Sequence, residues 1–388
     1  MTTQARVLNE PTALAREQTV SKTRILAIDA LRGLAMLFMA LDHASFFVGA
    51  GLQAESYGGQ PVVLQSIAYW GTGLLTNLAS PIFWLLSGYS LALFSASRMH
   101  KGWSTFAVSR YMLIRAAIIL VLDLTICWAF WLGGAPSVHV LTAIAAAMLL
   151  LSVARLLPIP ALALLSGGVL IAYQAVIGRM APTLAADAPQ SFWQAFWLTY
   201  SYDTVPAVGF PVLGWGPLMW LGYALGAFQG RPAMQHPRTW FVAGAALLGF
   251  WAILRMIGSY GDLGPYGQIG TTPAHFLVMS KAPPSLTYFA FNLGLAAVLL
   301  GALFSMSDLL NRRWFSPLVM IGQVALFFYV AHIVVYHVIA RVVNMLPTPG
   351  PAVIWGYLTF AAGLVALVPL CAWYRQQRKQ YPRILGYL

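Results

Sequence analysis

RILAIDALRGLAMLFMALDHASFF (24–47) is the stretch on which the reading of this chain turns. Most of its residues belong inside a bilayer, yet Asp29, Arg32, Asp42 and His43 interrupt it. Each ionisable group in mid-membrane opposes insertion by roughly 2.5–3.5 kcal/mol, so a helix that keeps several must turn them away from lipid. A helix advances by about 100° per residue, so Arg32 and His43 point within about 20° of each other. Asp29 lies about 60° from Arg32 and about 40° from His43, on the same broad face, whereas Asp42 is about 100° from His43. At about 1.5 Å per residue, Arg32 and His43 stand roughly 16 Å apart along one polar stripe. Such a stripe faces a bundle interior or a wet cavity.

Two readings of the stripe stay open. Asp29 and Arg32 form an ion pair that registers the bundle, with His43 hydrogen-bonded across helices, or the same groups carry chemistry. In the second case a neighbouring acid orients the imidazole and raises its basicity. Asp42 is adjacent to His43 in sequence but off its face, which suits a partner elsewhere.

Composition sets the class. The 388 residues are 60% hydrophobic and only 8% charged, with a mean hydropathy of +0.74. A soluble chain carries about three times that charged fraction. This is the pattern of an all-α, polytopic membrane bundle. The net charge of +12 does not indicate nucleic acid, because the basic residues punctuate apolar runs instead of gathering on a soluble domain. Cys127 and Cys371 both fall inside apolar runs, which argues against a disulfide framework. The first 24 residues hold Arg6, Arg16, Lys22 and Arg24. They resemble a signal-peptide leader, but the apolar run behind them is too long, so the first helix is read as uncleaved.

Ten runs approach the roughly 20 residues that cross a hydrocarbon core. They lie near 27–49, 74–97, 111–132, 138–156, 160–178, 210–228, 239–258, 285–306, 316–342 and 352–374. With a cytoplasmic N-terminus, the inner side gathers Arg98, Lys101, Arg110, Arg115, Arg155, Arg231, Arg238, Arg312, Arg313, Arg375, Arg378, Lys379 and Arg383. The outer side keeps only Arg179, Arg255, Lys281 and Arg341. This asymmetry predicts about ten spans with both termini cytoplasmic.

Three outer connections, 50–73, 179–209 and 259–284, are long and rich in Gly, Pro, Tyr and Trp. Long ordered loops are more often functional than connecting. Within SFWQAFWLTYSYDTVPAVGF (191–210), residues 191–200 read equally well as an interfacial helix at headgroup level. PIFWLLSGYSLA (81–92) and PLMWLGYALGA (217–227) look alike, but small and aromatic residues are common in packed membrane helices, so no duplication is inferred.

Other polar groups lie at membrane depth. Asp123, in LVLDLTICW, is a lone acid, a candidate partner for Arg115 or for the first helix. His332 and His337 fall on different sides of one span, so helix spacing does not let them share a metal. They read as packing histidines, with one of them a candidate cavity wall. No P-loop, dinucleotide fingerprint or zinc pattern is present, and no metal is expected.

AIDALRGLAMLFMALDH (27–43) resembles the first membrane helix of the DUF1624 family, grouped with the heparan-alpha-glucosaminide N-acetyltransferase catalytic domain. SPIFWLLSGYSLALF (80–94), PVLGWGPLMWLGYALG (211–226), KAPPSLTYFAFNLG (281–294) and IGQVALFFYVAHIVVYH (321–337) continue the resemblance in order along the chain. The arginine–ten residues–histidine spacing of Arg32 and His43 is similar to that of the wider transmembrane acyltransferase superfamily, including the acyltransferase-3 proteins.

The resemblance implies a transmembrane acyltransferase-like domain over 25–374, between a cytoplasmic tail at 1–24 and another at 375–388. It implies transfer of an acetyl or short acyl group from cytoplasmic acetyl-CoA or another acyl-CoA to an extracytoplasmic sugar, polysaccharide or glycolipid. The expected setting is a bacterial cytoplasmic membrane. The implied catalytic residues are His43, Asp42, Arg32 and Asp29, with Arg32, Arg98, Lys101, Arg110 and Arg115 near the CoA phosphates. One departure stands out: in the lysosomal enzyme of that group the catalytic histidine lies in the loop after the first helix, and loop 50–73 here has no histidine. The amino-sugar acceptor is therefore not carried over. A secondary transporter or lipid-linked flippase would use the same stripe as a proton relay, and an assembly subunit would use it only to pair helices.

Overall fold

The pair of look-alike segments shows how the bundle closes. Helices α3 (Ala79–His100) and α7 (Val212–Ala227) pack along their length. A Cβ placed on Gly88 would collide with the Met219 carbonyl, and one on Gly222 with the Leu85 carbonyl. Small residues let two backbones approach where lipid offers no hydrophobic drive. The likeness of the two sequences is therefore the mark of a shared interface.

The structure is a computed structural model that describes residues 13–52, 54–131, 134–185 and 188–387. In chain order its principal helices are α1 (Ala13–Phe47), α2 (Ile67–Thr76), α3, α4 (Thr105–Leu122), α5 (Val140–Ala154), α6 (Ile159–Ala185) and α7. They continue as α8 (Pro237–Ile257), α9 (Leu286–Ser305), α10 (Ser316–Gln323), α11 (Ala325–Val343) and α12 (Ala352–Gln380). The chain is an all-α membrane bundle.

Among the described residues seven helices are long and apolar enough to cross a bilayer, against the ten spans expected. The other three expected spans correspond to α1, to the 15-residue α5 and to the 16-residue α7. Helices of that length extend only about 22–24 Å, short of the roughly 30 Å core. Both α5 and α7 are mostly buried, so their neighbours, not their own length, carry the lipid-facing surface. Helix α1 begins at Ala13, inside the stretch read as a polar tail, while residues 1–12 lie outside the described residues.

Two further departures position the site. The run 316–342 has the apolar length of one span but breaks at Val324, between α10 and α11. A break at membrane depth frees carbonyls that must find donors; Gly322 O accepts from Arg32 and Gln323 O from Arg378. After α4 the helix widens into a π-helical turn, Asp123–Cys127, a feature frequent at functional sites.

At the opposite end the long connections fold into order. Strand β1 (Glu55–Tyr57) pairs in parallel with β4 (Met279–Ala282), joining the first and third outer loops. Strand β2 (Ser137–Val138) pairs in parallel with β3 (Ala207–Val208), joining the start of α5 to the second loop. Arg255, fully buried, fixes the third loop: its guanidinium meets Asp262 at 2.8 and 2.7 Å and donates to the carbonyls of Gly264, His275, Phe276 and Val278. Phe192–Trp197 is a short helix carrying the exposed Trp193.

Candidate functional site

The polar stripe of α1 is shared between the two ends of the bundle. At the basic end Arg32 Nη1 donates to Asp29 Oδ1 at 2.9 Å and to Gly322 O at 3.0 Å, and Nη2 donates to Ser90 Oγ at 2.8 Å. Asp29 also accepts from Gln323 Nε2 at 3.1 Å. The ion pair is real and ties α1 to α3 and to the broken span. Three contacts leave two of the five guanidinium N–H groups for the cavity beside them.

That cavity, about 410 Å³, is lined by Arg32, Phe83, Ser87, Arg98, Arg115, Gln323 and Arg378. A neighbouring one of about 460 Å³ adds Asp29, Arg375 and Lys379. Arg98 is held over Phe94 and Trp103, 5.1 Å from each ring centroid. Of the basic residues expected here, Arg32, Arg98 and Arg115 line the cavity, but Lys101 and Arg110 are exposed and line neither. Arg378, on α12, lines both.

At the other end a cavity of about 540 Å³ is lined by Asp42, His43, Tyr57, Thr76, Trp131, His139, Tyr200, Tyr202 and Lys281. Asp42 accepts from Thr76 Oγ1 at 3.0 Å, so it does not orient the imidazole of His43. Lys281 Nζ meets Glu55 Oε1 at 2.9 Å across the β1–β4 pair. Burial works against the charge on Lys281, but Glu55, with Tyr57, Tyr288 and Asp42 behind it, holds the ammonium well above the ordinary lysine range.

The orienting partner of His43 is His332, which the sequence presented as a packing residue. His43 Nδ1 lies 2.7 Å from His332 Nε2, and the rings stack at 4.9 Å. His332 is fully buried, and its Nδ1 lies 3.1 Å from Phe328 O. A carbonyl only accepts, so His332 Nδ1 carries the hydrogen. In a neutral imidazole the other nitrogen is then an acceptor. His43 Nδ1 must therefore donate to it, which leaves a lone pair on His43 Nε2, a nitrogen with no protein partner among the described residues. With both rings neutral, this is the tautomer that a base or a nucleophile at Nε2 would need.

Between the two cavities sits a small chamber of about 50 Å³, lined by Met39, His43, Ala79, Ser80, Phe83, Trp131, His139, Val140, Phe210 and Tyr329. Phe83 belongs to both this chamber and the basic cavity, and it stacks on Tyr329 at 6.3 Å. Arg32 and His43 thus face different cavities, divided by an aromatic pair. Asp123 is a partner neither of Arg115 nor of α1: its Oδ2 accepts from the backbone N–H of His139 and Thr142 and from Thr142 Oγ1, at 3.0, 2.9 and 2.5 Å. The acid anchors the start of α5 and with it His139. Among the described residues no cluster of side chains could hold a metal.

A helical bundle with a basic cavity at one end and, at the other, an aromatic one whose wall carries a histidine hydrogen-bonded to a second histidine is that of an integral membrane protein. The family model for acyltransferase-3, an acyltransferase domain, matches residues 25–374, and the chain belongs to that family. It is a membrane acyltransferase. No curated protein matches the chain.

Proposed function

We propose that this acyltransferase moves an acetyl or other short acyl group from acyl-CoA at the basic end to a sugar, polysaccharide or glycolipid at the aromatic end. The observation that carries this reading is His43, held by His332 with its Nε2 lone pair free, where the two cavities approach each other. The basic end is taken as cytoplasmic, from the excess of Arg and Lys there, in a bacterial inner membrane. The CoA phosphates are drawn to Arg32, Arg98, Arg115 and Arg378 by charge. The thioester passes Phe83 and Tyr329 to reach His43. There the Nε2 lone pair removes the acceptor's proton as it attacks, or takes the acyl group itself. Tyr57, Tyr200 and Tyr202 offer amphipathic faces to a sugar ring.

The narrower resemblance to the heparan-alpha-glucosaminide N-acetyltransferase group supports an acetyl donor without naming the acceptor. The test has two parts. Acetyl-CoA should raise the melting temperature of the purified protein, whereas a proton-coupled transporter or flippase would show no such stabilisation. Mass spectrometry of envelope glycans from cells with and without the protein should then show acetylation that depends on it. An unchanged melt together with unchanged glycans would overturn the reading.

A further inference from the structure

Four carboxylates elsewhere in the structure are answered by protein groups. Asp29 meets Arg32 and Gln323, Glu55 meets Lys281, Asp262 meets Arg255, and Oδ2 of Asp123 takes three donors. Asp42 is different. Its one hydrogen bond among the described residues is the neutral contact from Thr76 Oγ1 to Oδ1, and no cation lies within 4.0 Å of it. Its Oδ2 has no protein partner among the described residues and keeps accessible surface, unlike the sealed polar atoms of the interior. An acid on a membrane helix that is neither paired nor sealed marks a place where something else comes to meet it.

The same cavity holds a donor that is only partly used. A lysine ammonium has three N–H groups, and the one side-chain hydrogen bond of Lys281 among the described residues goes to Glu55 Oε1 at 2.9 Å. Lys281 and Asp42 both line the aromatic-end cavity but form no ion pair with each other. An acceptor and a donor in one cavity, too far apart to satisfy each other, suit a ligand that offers both. Hydroxyl groups do, since each gives an O–H to a carboxylate and takes an N–H from an ammonium. A ligand anion would face the Asp42 carboxylate, and a ligand ammonium would face that of Lys281. Tyr57, Tyr200 and Tyr202 stand edge to face in the same wall, with ring centroids 5.8 and 6.1 Å apart. Their rings offer apolar faces beside polar tips.

We infer that Asp42 and Lys281 are the acceptor-binding residues, and that the group they hold is an uncharged sugar. One of its hydroxyls donates to Asp42 Oδ2 and another accepts from Lys281 Nζ, in the cavity that His43 also lines. The inference rests on the acyl-transfer reading and narrows its acceptor. It gives Asp42 work other than orienting the imidazole beside it, and neither Asp42 nor Lys281 takes part in making or breaking a bond. Like charges brought together in a binding site cost several kcal/mol, so the two residues select against acidic and amino sugars from opposite sides.

The experiment titrates purified full-length protein, in a sugar-free detergent, with the methyl glycosides of glucose, galactose and mannose and with their uronic-acid and amino-sugar counterparts. Wild type should bind at least one neutral glycoside about tenfold or more tightly than its charged counterparts. Asp42→Asn keeps an oxygen for Thr76 and replaces the open oxygen by an N–H donor. At a matched melting temperature it should bind that glycoside about 10- to 100-fold more weakly, the loss of one hydrogen bond to a charged group. It should also lose the discrimination against the uronic acid, which a merely structural role would not change. Glu55→Gln with Lys281→Met, which removes both charges of the ion pair together, should weaken the neutral glycoside likewise and lose the discrimination against the amino sugar. No binding of any neutral glycoside by the wild type would overturn the inference. So would equal or tighter binding of a charged counterpart, or wild-type affinity and preference in folded Asp42→Asn. Sugar binding as expected by a protein that neither binds nor turns over acetyl-CoA would instead overturn the acyl-transfer reading and leave the sugar site standing.

Discussion

His43 Nδ1 and His332 Nε2 lie 2.7 Å apart, and the hydrogen between them belongs to His43 because His332 Nδ1 is committed to the Phe328 carbonyl. Two imidazoles in series do here what a carboxylate does in many active sites: they fix a tautomer without placing a formal charge in the membrane. His332→Phe should therefore lower kcat about 100-fold, within the range for a misplaced general base, and leave the KM for acyl-CoA near wild type. A raised KM with unchanged kcat would make His332 a binding or packing residue.

The basic cavity separates residues that sequence alone could not. Arg378→Gln removes a cavity cation, and a hydrogen bond to a charged group is worth about 1.5–3 kcal/mol, so acyl-CoA should bind roughly 10- to 100-fold more weakly. Arg110→Gln, on the exposed side of α4, should bind as wild type does. Isothermal titration of the two variants decides it, and equal losses would mean that only net charge matters.

Arg32 answers to a stricter demand. Its planar fork reaches Asp29, Gly322 and Ser90 from two nitrogens, which a lysine ammonium cannot reproduce. Arg32→Lys should cost at least about tenfold in CoASH release, a single lost contact of about 1.4 kcal/mol, with a lower melting temperature. A silent substitution would reduce its role to simple charge.

The Glu55–Lys281 pair gives the pH signature. Breaking one side of a buried pair costs about 3–5 kcal/mol, so Lys281→Met should melt well below wild type, and Glu55→Gln with Lys281→Met should recover most of the loss. The folded protein holds Lys281 above its ordinary value. The pair's contribution is thus complete below the unfolded lysine pKa of about 10.4 and is lost as pH climbs through the raised folded value. Melting curves of wild type and Lys281→Met should run parallel to about pH 10 and converge above it. Convergence already at neutral pH would contradict the assignment.

The bundle and one wall of the site were legible because they rest on local arithmetic. Apolar length marks spans, helical angle puts Asp29, Arg32 and His43 on one face, and basic residues mark one end. What could not be read is what meets that face from far along the chain. His332 lies 289 residues from His43, and Lys281 is 226 from Glu55; no periodicity encodes such pairings. His139 stood unremarked beside a turn because its place in the cavity wall depends on the loop that β2 and β3 bring over it. Asp123 looked like a charge in search of a cation, but helix ends offer backbone N–H groups that serve a carboxylate equally well. The break at Val324 was hidden because an apolar run reads the same whether or not its carbonyls point along the helix.

The most direct test of the central claim is CoASH release from acetyl-CoA by purified wild-type protein and by His43→Ala at matched melting temperature. Release by the wild type and none above background by the variant, with acetyl-CoA binding retained, is the expected result. Equal release by both would remove His43 from the chemistry and contradict the account.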